Sequence, residues 1–302
     1  MNKSLDIVIP TYNRKEKLKR LIESIYNQKL TNCKINIIVV DDFSDYDVNC
    51  LKEFFPSLNI IKNNKKKWVS SLRNQGLKEC KNEYVFFLDD DNVLDPNCIQ
   101  NLIEQISNDP KIGLVAPLMY YYEKKDMIWC AGISRSYFTS ITKYHLRDTK
   151  NIVNKNITFS EDFPNAYLTR TNLAKSVGGF DEFYFPIHYE ESDFAKKITN
   201  KGYRTLMVPK AITYHDVANQ DNKSIFEYQK PQRIFYTMRN RILFHRRYGS
   251  VFENLILFTV FIHLINFYYL IQLIRSKIKN KNEYYKVFFY GIAEGFFMRL
   301  HR

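Results

Sequence analysis

The sequence predicts an α/β fold in which helices flank a mostly parallel β-sheet. Apolar stretches of strand length alternate with helical stretches of about 10 to 15 residues, which is typical of strands joined by helical crossovers. The clearest strand is Tyr84–Leu88, where every residue is apolar or aromatic, as expected of a strand buried on both faces. It runs directly into Asp89, Asp90 and Asp91. Because ligands of open α/β sheets bind at the carboxyl ends of the strands, this junction is the first candidate for a functional site.

The other predicted elements follow in order from the N-terminus. Strands are expected at residues 5–9, 35–40, 58–61, 112–117 and 204–208. Helices are expected after Asn13, over residues 48–55 and 69–80, after Asp95, and from Glu190 towards Gly202. Asn13 and Glu16 form a capping-box-like pair, and Asp95 followed by Pro96 is a helix start signal.

The C-terminal part differs in charge from the rest of the chain. The 302 residues carry 45 Lys and Arg against 32 Asp and Glu, but residues 222–302 alone hold 14 against 4. This asymmetry indicates contact with an anionic surface. We therefore expect a first domain over residues 1–221 and a basic, aromatic-rich helical appendage over residues 222–302.

Within this appendage, residues 255–274 are apolar except at Thr259, His263, Asn266 and Gln272. The segment is long enough to span a bilayer, but its polar residues favour one face, so lying in the interface or packing on another helix stays open. Basic residues follow at once, as expected beside an anionic cytoplasmic leaflet. A second aromatic helix, interrupted by Gly291 and Gly295, is expected over residues 285–300. We expect membrane-surface contact through residues 233–302 and no nucleic-acid binding.

Several protein classes are disfavoured because their motifs are missing. The sequence contains neither G-x-G-x-x-G nor G-x-x-x-x-G-K-[ST], which disfavours dinucleotide oxidoreductases and P-loop NTPases. Its five cysteines are odd in number and form no C-x-x-C pair, so neither a zinc site nor a disulfide framework is indicated. The apolar residues before Pro10 are too few for a signal-peptide core, and we expect the catalytic part to face the cytoplasm.

Two groups of carboxylates are candidates for chemistry. Unit charges about 4 Å apart repel by roughly 4 kcal/mol at an effective dielectric near 20, so Asp89, Asp90 and Asp91 together favour a bound divalent cation. The alternative interpretation is a solvated acidic turn before the next helix. Residues 190–193 hold three further carboxylates at a predicted helix start, where the helix dipole itself favours negative charge.

Seven motifs, taken in order, resemble those of the family 2 glycosyltransferases, which have a GT-A fold. The resemblance covers about residues 3–248. The motifs are P-T-Y-N-R at 10–14, V-V-D-D-F-S at 39–44, R-N-Q-G at 73–76, L-D-D-D at 88–91, G-G-F-D-E at 178–182, E-E-S-D at 190–193, and His215. The resemblance implies an inverting, metal-dependent glycosyltransferase of the hexosyl- or deoxyhexosyltransferase class, with its catalytic domain at residues 1–221.

The resemblance also implies a nucleotide-sugar site at the strand ends. Asp42 would accept a hydrogen bond from a uracil or thymine ring nitrogen, so a UDP- or dTDP-sugar is the expected donor. Arg73 would stack on the base or meet the diphosphate, and the alternative is an ordinary surface arginine. The nucleotide-sugar-binding residues implied in this way are Thr11, Tyr12, Arg14, Asp42, Arg73, Asp89 and Asp90.

The implied metal is Mn²⁺ or Mg²⁺, which prefer oxygen ligands. Asp91 is the most direct implied ligand, with Asp89 beside it. His215 matches a late histidine that completes the metal shell in some relatives, and its alternative role is structural. The alternative role of Asp90 is structural as well, as a support for the turn.

Glu191 takes the position of the family's catalytic base, with Glu190 and Asp193 as alternatives on the same helix. Asp181 is implied to contact the sugar or the acceptor. One base and one metal fit a single in-line displacement with inversion, whereas a glycoside hydrolase would need two carboxylates flanking the bond. The expected acceptor is a glycan or lipid-linked hydroxyl. We expect the protein at the cytoplasmic face of the cell membrane, or in the cytoplasm with peripheral membrane association.

Two other functions stay open at this point. A nucleotidyltransferase also combines an α/β sheet with acidic metal ligands, but it normally has a phosphate loop rich in Gly and Lys or Arg where this chain has P-T-Y-N-R. A catalytically inactive membrane scaffold of the same fold is the second alternative. The presence of Asp89, Asp91 and Glu191 disfavours it.

Overall fold

A 10-stranded sheet forms the centre of the first part of the chain in the computed structural model, which describes residues 3–150, 158–217 and 224–300. The described strands, of which β8 and β9 pair with each other outside this sheet, are β1 (Lys3–Thr11), β2 (Cys33–Asp41), β3 (Asn59–Lys62), β4 (Tyr84–Leu88), β5 (Asn92–Leu94), β6 (Ile112–Tyr121), β7 (Ile128–Cys130), β8 (Ile133–Arg135), β9 (Thr142–Tyr144), β10 (Thr158–Phe159), β11 (Ala166–Arg170) and β12 (Arg204–His215). The helices are α1 (Lys15–Tyr26), α2 (Val69–Glu79), α3 (Cys98–Asn108), α4 (Thr171–Ser176), α5 (Glu190–Asn200), α6 (Ile225–Tyr228), α7 (Pro231–Tyr248), α8 (Val251–Ile256), α9 (Ile262–Arg275) and α10 (Lys281–Phe297). A short 3₁₀ helix covers Val48–Glu53, and a π-helical turn, Leu257–Phe261, joins α8 to α9.

The strand order is β10-β12-β6-β11-β4-β1-β2-β3, with β5 paired to β12 and β7 paired to β6. The strands β3, β2, β1 and β4 are parallel to one another, and so are β6 and β12. Between these groups, β11 pairs antiparallel with both β4 and β6. The predicted α/β class with flanking helices is confirmed, and the sheet is mixed because β5, β7, β10 and β11 pair antiparallel with their neighbours.

Both faces of the sheet are buried, because side chains alternate along each strand. In β1, Ile7 and Ile9 belong to one hydrophobic core and Val8 belongs to the other. The first core contains the apolar faces of α1 and α3, and the second contains those of α2 and α5. This burial on two sides is the physical reason why β4 is apolar at every position.

Two helix starts differ from the prediction. Asn13 does not cap α1: its backbone has a φ of 54°, its side chain donates to Asp45, and Arg14 occupies the cap position without a side-chain cap bond. The helix α3 begins at Cys98 and not at Pro96, because the preceding residues form a turn instead of the first helical residues. At the first position Asn13 instead bonds to Asp45, which is distant in sequence, and at the second the Asn97 N–H bonds to the Asp95 side chain in a local turn.

The described residues form two compact units. The first unit comprises the described residues of Met1–Ser134, Tyr144–Glu182 and Glu190–Val217, and it contains the sheet. The second unit comprises the described residues of Arg135–Lys143, Phe183–Tyr189 and Ala218–Arg302. Two internal segments thus join the C-terminal helices in the second unit.

In the second unit, α10 packs closely on α7. A Cβ at Gly291 would lie 2.6 Å from the Phe235 carbonyl oxygen, and one at Gly295 would lie 2.9 Å from Ile242 Cβ. The expected interruption of this helix at Gly291 and Gly295 is therefore wrong, because α10 continues through both residues and uses them for a close approach.

Among the described residues, the continuous helix Val251–Arg275 is long and apolar enough to cross a membrane, as judged by length and composition. Its mean hydropathy reaches 1.8 in the most apolar window, of which 11% is buried. Most of its large side chains that face outward are apolar.

Candidate active site

The carboxyl ends of β1, β2 and β4 meet at one edge of the sheet, because these strands are parallel neighbours. Asp90 follows β4 and contacts the end of β1. Thr11 Oγ1 donates a hydrogen bond to Asp90 Oδ2 at 2.8 Å, and Arg14 Nη1 donates to Asp90 Oδ1 at 2.8 Å. Burial raises the pKa of Asp90 to about 7, although Arg14 opposes the shift. The side chain of Asp90 thus fastens the turn to β1.

Asp91 lies beside His215, the last residue of β12. Asp91 Oδ1 is 3.4 Å from His215 Nε2, and Asp91 Oδ2 accepts a hydrogen bond from Arg14 Nη1 at 2.8 Å. The backbone N–H of Asp216 also donates to the Asp91 carbonyl oxygen at 2.8 Å. Burial on its own would raise the pKa of Asp91, but the interactions with His215, Arg14 and Lys17 outweigh it and lower the pKa to about 2. Asp91 is therefore ionised at neutral pH.

Asp91 and His215 fit one side of a divalent-metal site. Asp91 Oδ1 is buried and has no hydrogen-bond partner among the residues that the structure describes. Carboxylate oxygen and imidazole nitrogen are both ligands that Mn²⁺ accepts. In residues 3–150, 158–217 and 224–300, no three His, Cys, Asp or Glu side chains are grouped to hold a metal ion. A cation here would thus need further ligands from a bound substrate or from water.

Arg73 lies at the centre of a second cluster and is only 1% exposed. Its Nη2 atom is 2.8 Å from Asp89 Oδ1 and 2.7 Å from Glu191 Oε1, and its Nη1 atom is 3.2 Å from Glu190 Oε1. The helix α2 carries the arginine, the end of β4 carries the aspartate, and the start of α5 carries both glutamates. Arg73 is thus a buried counter-ion of three carboxylates, and the surface-arginine alternative is wrong.

The three carboxylates at the start of α5 have different surroundings. Burial raises the pKa of Glu190, and it raises that of Glu191 well above the ordinary value, although Arg73 opposes both shifts. The Glu191 side chain keeps 20% exposure, against 9% for Glu190. Asp193 is fully buried and pairs with Lys197 one turn along the helix, at 2.8 Å. Of the three, Glu191 is the one that both contacts Arg73 and reaches solvent most.

Asn165 links the two clusters. Its backbone N–H donates to Glu191 Oε1 at 2.9 Å, and its Nδ2 atom lies 3.2 Å from His215 Nε2. Its φ of 53° lies in the left-handed region, which asparagine tolerates better than most residues. Sequence reasoning missed this residue, because it precedes β11 in a stretch with no motif.

The end of β12 is fixed to α1 through Asp216. Lys17 Nζ donates to the Asp216 carbonyl oxygen at 2.8 Å and lies 3.3 Å from its carboxylate, which also forms an ion pair with Arg20. This clamp holds the residue that follows His215. No sequence motif predicts it, since the partners are almost 200 positions apart.

Asp42 directly follows β2, and Tyr12 directly follows β1. Asp42 is buried and accepts a hydrogen bond from the Lys67 backbone N–H. Burial raises its pKa to about 6, although that hydrogen bond opposes the shift. Lys66 Nζ lies 3.6 Å from the centroid of the Tyr12 ring, which is partly exposed. A carboxylate, an aromatic ring and a lysine thus lie close to this part of the sheet edge.

The Gly-Gly-Phe-Asp turn at residues 178–181 is fastened to α2 by Asn74. Asn74 Nδ2 donates to the Phe180 carbonyl oxygen at 2.9 Å and to Glu182 Oε1 at 2.8 Å, and Asn74 Oδ1 accepts from the Phe180 N–H at 2.9 Å. Gly179 has a φ of 61°, and a Cβ there would lie 2.5 Å from Asn74 Oδ1. Asp181 lies in this turn, so its position depends on Asn74, a residue of the R-N-Q-G motif to which the sequence analysis gave no role.

We expect Asn74→Ala to lower the free energy of unfolding by about 2–3 kcal/mol, at about 1 kcal/mol for each lost hydrogen bond. Urea denaturation measures this change. The matched control is Asn101→Ala, which removes a single exposed hydrogen bond to the Lys210 carbonyl oxygen and should cost about 1 kcal/mol or less. Equal losses in the two variants would contradict the fastening role of Asn74.

Comparison with known proteins places the chain in a family. The family model described as glycosyl transferase family 2 matches residues 6–170, which is more than half of the chain. An uncharacterised glycosyltransferase of Haemophilus influenzae is 29% identical over 124 residues, which are 41% of this chain and 40% of the relative. The poly(ribitol-phosphate) β-N-acetylglucosaminyltransferase TarP of Staphylococcus aureus is 35% identical over 104 residues, which are 33% of this chain and 32% of the relative. These matches thus span less than half of the length of either relative.

A solved structure supports the fold. The mannosyltransferase PcManGT from Pyrobaculum calidifontis, in complex with GDP-mannose and Mn²⁺, superposes with a TM-score of 0.59 at 16% identity. The superposition covers 98% of this chain and 88% of that protein. At this identity the likeness concerns the fold, and it agrees with the predicted GT-A type. With the family model matched across β1, β2, β4 and the acidic turn that follows, the chain belongs to glycosyl transferase family 2.

Proposed function

We propose that the protein transfers a sugar, with inversion, from a nucleoside-diphosphate sugar to a hydroxyl group of a glycan or lipid-linked acceptor. The observation that carries this proposal is the pair of clusters at the sheet edge. One cluster surrounds Arg73 with three carboxylates, the other joins Asp91 to His215, and Asn165 contacts both. Asn165 thus connects the proposed base with the proposed metal site.

The nucleoside of the donor is proposed to bind near Asp42, Tyr12 and Thr11. A carboxylate at Asp42 can accept a hydrogen bond from a ring N–H of uracil or thymine, which favours a UDP- or dTDP-sugar. The ring of Tyr12, with Lys66 above it, offers an aromatic face and a positive charge. Arg14, whose side chain is half exposed, is the cation proposed to face the diphosphate, whereas Arg73 is buried against three carboxylates.

The proposed metal is Mn²⁺ or Mg²⁺, held by Asp91 and His215, while Asp89, the other implied ligand, is paired with Arg73. Support comes from the buried Asp91 Oδ1 atom, which lacks a donor among the described residues and lies 3.4 Å from His215 Nε2. When bound, the metal would neutralise charge on the leaving nucleoside diphosphate. PcManGT, with the same fold, was solved with Mn²⁺ and a nucleotide sugar.

Glu191 is the proposed catalytic base, which would accept the proton of the acceptor hydroxyl group. A raised carboxyl pKa makes a stronger base, and Glu191 reaches solvent more than Glu190 does. Asp193 is less suited because it is buried in an ion pair with Lys197. Asp181 is proposed to contact the sugar or the acceptor from the Gly-Gly-Phe-Asp turn.

We expect Glu191→Gln to lower kcat by about 10²- to 10⁴-fold, because the amide cannot accept the proton. In the wild type, kcat/KM should decrease as the pH is lowered, and the decrease should begin at a pH above the ordinary glutamate pKa of about 4.3. The reason is that a carboxylate with a raised pKa takes up its proton at a higher pH. Steady-state kinetics against pH measures both effects. Glu104→Gln, an exposed glutamate on α3, is the control and should keep wild-type kinetics. Wild-type kcat in Glu191→Gln would refute this assignment and leave Glu190 and Asp193.

The acceptor class and the cellular location are proposed from the charge and hydrophobicity of the second unit and from the relatives. TarP acts on poly(ribitol phosphate). Residues 222–302 are strongly basic, and the helix Val251–Arg275 exposes a largely apolar face. We therefore propose a glycan or lipid-linked acceptor at the cytoplasmic face of the cell membrane, reached through residues 233–302.

A donor panel tests the proposed function. Purified protein is incubated with UDP-, dTDP- and GDP-sugars in the presence of Mn²⁺, Mg²⁺ or chelator, and release of nucleoside diphosphate is followed. We expect release from a UDP- or dTDP-sugar with a divalent cation and none with chelator. Release of pyrophosphate from a nucleoside triphosphate and a sugar phosphate would instead identify a nucleotidyltransferase. No turnover of any donor, with membrane extract added as the acceptor source, would favour an inactive scaffold.

A further inference from the structure

A cavity of about 1370 Å³ lies within the second unit, and none of the candidate site residues lines it. It is lined by the end of α9, the connection to α10, and residues of α6. Three of its side chains are the cations Arg275, Lys277 and Lys279, and all three are exposed. The cavity is thus a basic recess at one end of the hydrophobic helix.

The carboxylates that line the same cavity are engaged with backbone or amide donors. Glu227 accepts hydrogen bonds from the backbone N–H groups of Ser224 and Lys277, at 3.0 Å in both cases. Glu283 accepts from Asn280 Nδ2 at 3.3 Å. Among the described residues, Arg275, Lys277 and Lys279 form no ion pair with a carboxylate. The three cations are therefore available to an anion.

An apolar surface is continuous with this recess along the helix Val251–Arg275. Leu264, Phe267, Tyr268 and Ile274 are each more than half exposed, and Tyr268 also lines the cavity. The opposite face of the same helix is covered, since Arg241 of α7 donates a hydrogen bond to Tyr269 at 3.0 Å and Leu273 is buried. The exposed surface thus carries apolar side chains along its length and cations at its end.

We propose that this recess binds the phosphate headgroup of an anionic phospholipid of the membrane, while the exposed apolar face lies among the acyl chains. The proposal deepens the proposed function and rests on its membrane contact, because it assigns that contact to a defined site and lipid class. Charge complementarity selects the occupant: a phosphate group matches three cations, and the chains of the same lipid match the adjoining apolar face. A free phosphate ion would leave that face uncovered.

Vesicle flotation of the full chain tests the site. The wild type is expected to float with phosphatidylcholine vesicles that contain about one third phosphatidylglycerol. The triple variant Arg275→Gln, Lys277→Gln, Lys279→Gln should lower the partition coefficient by about 100-fold, because each basic residue near an anionic surface strengthens binding several-fold. The matched control Lys52→Gln, Lys78→Gln, Lys124→Gln removes the same charge from exposed positions of the first unit and should stay within about threefold of the wild type.

Vesicles in which a fatty acid supplies the same negative charge separate phosphate recognition from general attraction. Weaker binding to these vesicles supports a phosphate site, and equal binding to both kinds overturns it. Equal losses in the two triple variants, or undiminished flotation of Arg275→Gln, Lys277→Gln, Lys279→Gln, would also overturn the proposal. Nucleoside diphosphate release is measured on the same preparations without vesicles. Normal release with no flotation would refute the lipid site and the membrane contact but leave sugar transfer standing, whereas failed release with normal flotation would refute sugar transfer and leave the lipid site standing.

Discussion

Replacing Arg73 with methionine should lower the free energy of unfolding by about 3–5 kcal/mol and abolish donor turnover. The guanidinium group is almost fully buried, and its Nη atoms contact Asp89, Glu190 and Glu191. Removing one partner of a buried ion cluster leaves uncompensated charges in a low-dielectric site, which is strongly destabilising. Urea denaturation at neutral pH gives the stability change, and nucleoside diphosphate release gives the activity.

Arg204→Met is the matched control for this experiment. Arg204 pairs with Asp109 at the surface and its side chain is 54% exposed, so the substitution should cost about 1 kcal/mol or less. A second variant, Arg73→Lys, keeps one positive charge but not the planar fork that reaches three carboxylates, and it should be intermediate in stability. Stability and turnover of Arg73→Met equal to those of the wild type would contradict the account of the cluster.

Replacing Asp91 with alanine should lower donor turnover by about 10³-fold or more and weaken Mn²⁺ binding in the presence of nucleotide. A metal contributes several kcal/mol to stabilising the leaving group, and Asp91 is the ionised carboxylate beside His215. Electron paramagnetic resonance of free Mn²⁺ measures binding without relying on catalysis. Metal affinity and turnover that both match the wild type would refute the assignment.

Asp126→Ala controls for the loss of one negative charge. Asp126 is exposed and forms a long ion pair of 3.5 Å with Lys150, so its removal should change neither metal affinity nor turnover. Asp90→Asn is informative in another way. Because Asp90 is held by Thr11 and Arg14, this variant should lose stability more than metal affinity.

Periodicity in the sequence was sufficient for the fold class but not for the sheet's details. The apolar stretches at β1, β2 and β4 predict strands because burial on both faces requires apolar residues at every position. The antiparallel direction of β11 depends on tertiary pairing with β4 and β6, which no local pattern encodes. The predicted helix starts at Asn13 and Pro96 were wrong because a hydrogen bond from Asn13 to Asp45, and a turn at Asp95, outweighed the local capping preference.

For the candidate site, the motifs identified residues that the fold brings together. They did not identify which partner each of these residues contacts. Asp89, Asp90 and Asp91 are identical in type, and only their partners distinguish them: Arg73 for the first, Thr11 for the second and His215 for the third. The roles of the connecting residues were missed for a related reason. Asn165 and Asn74 act through hydrogen bonds between segments distant in sequence, and a single sequence carries no record of such contacts.

Anomalous diffraction at the manganese edge, from crystals grown with Mn²⁺ and UDP, tests the central claim most directly. The claim is that the edge formed by β1, β4 and β12 holds a nucleoside diphosphate through a divalent cation. We predict one strong peak within about 2.0–2.3 Å of an Asp91 carboxylate oxygen and a His215 ring nitrogen, with diphosphate oxygens completing the shell. A strong manganese peak elsewhere, or bound UDP with no manganese beside Asp91, would contradict the claim.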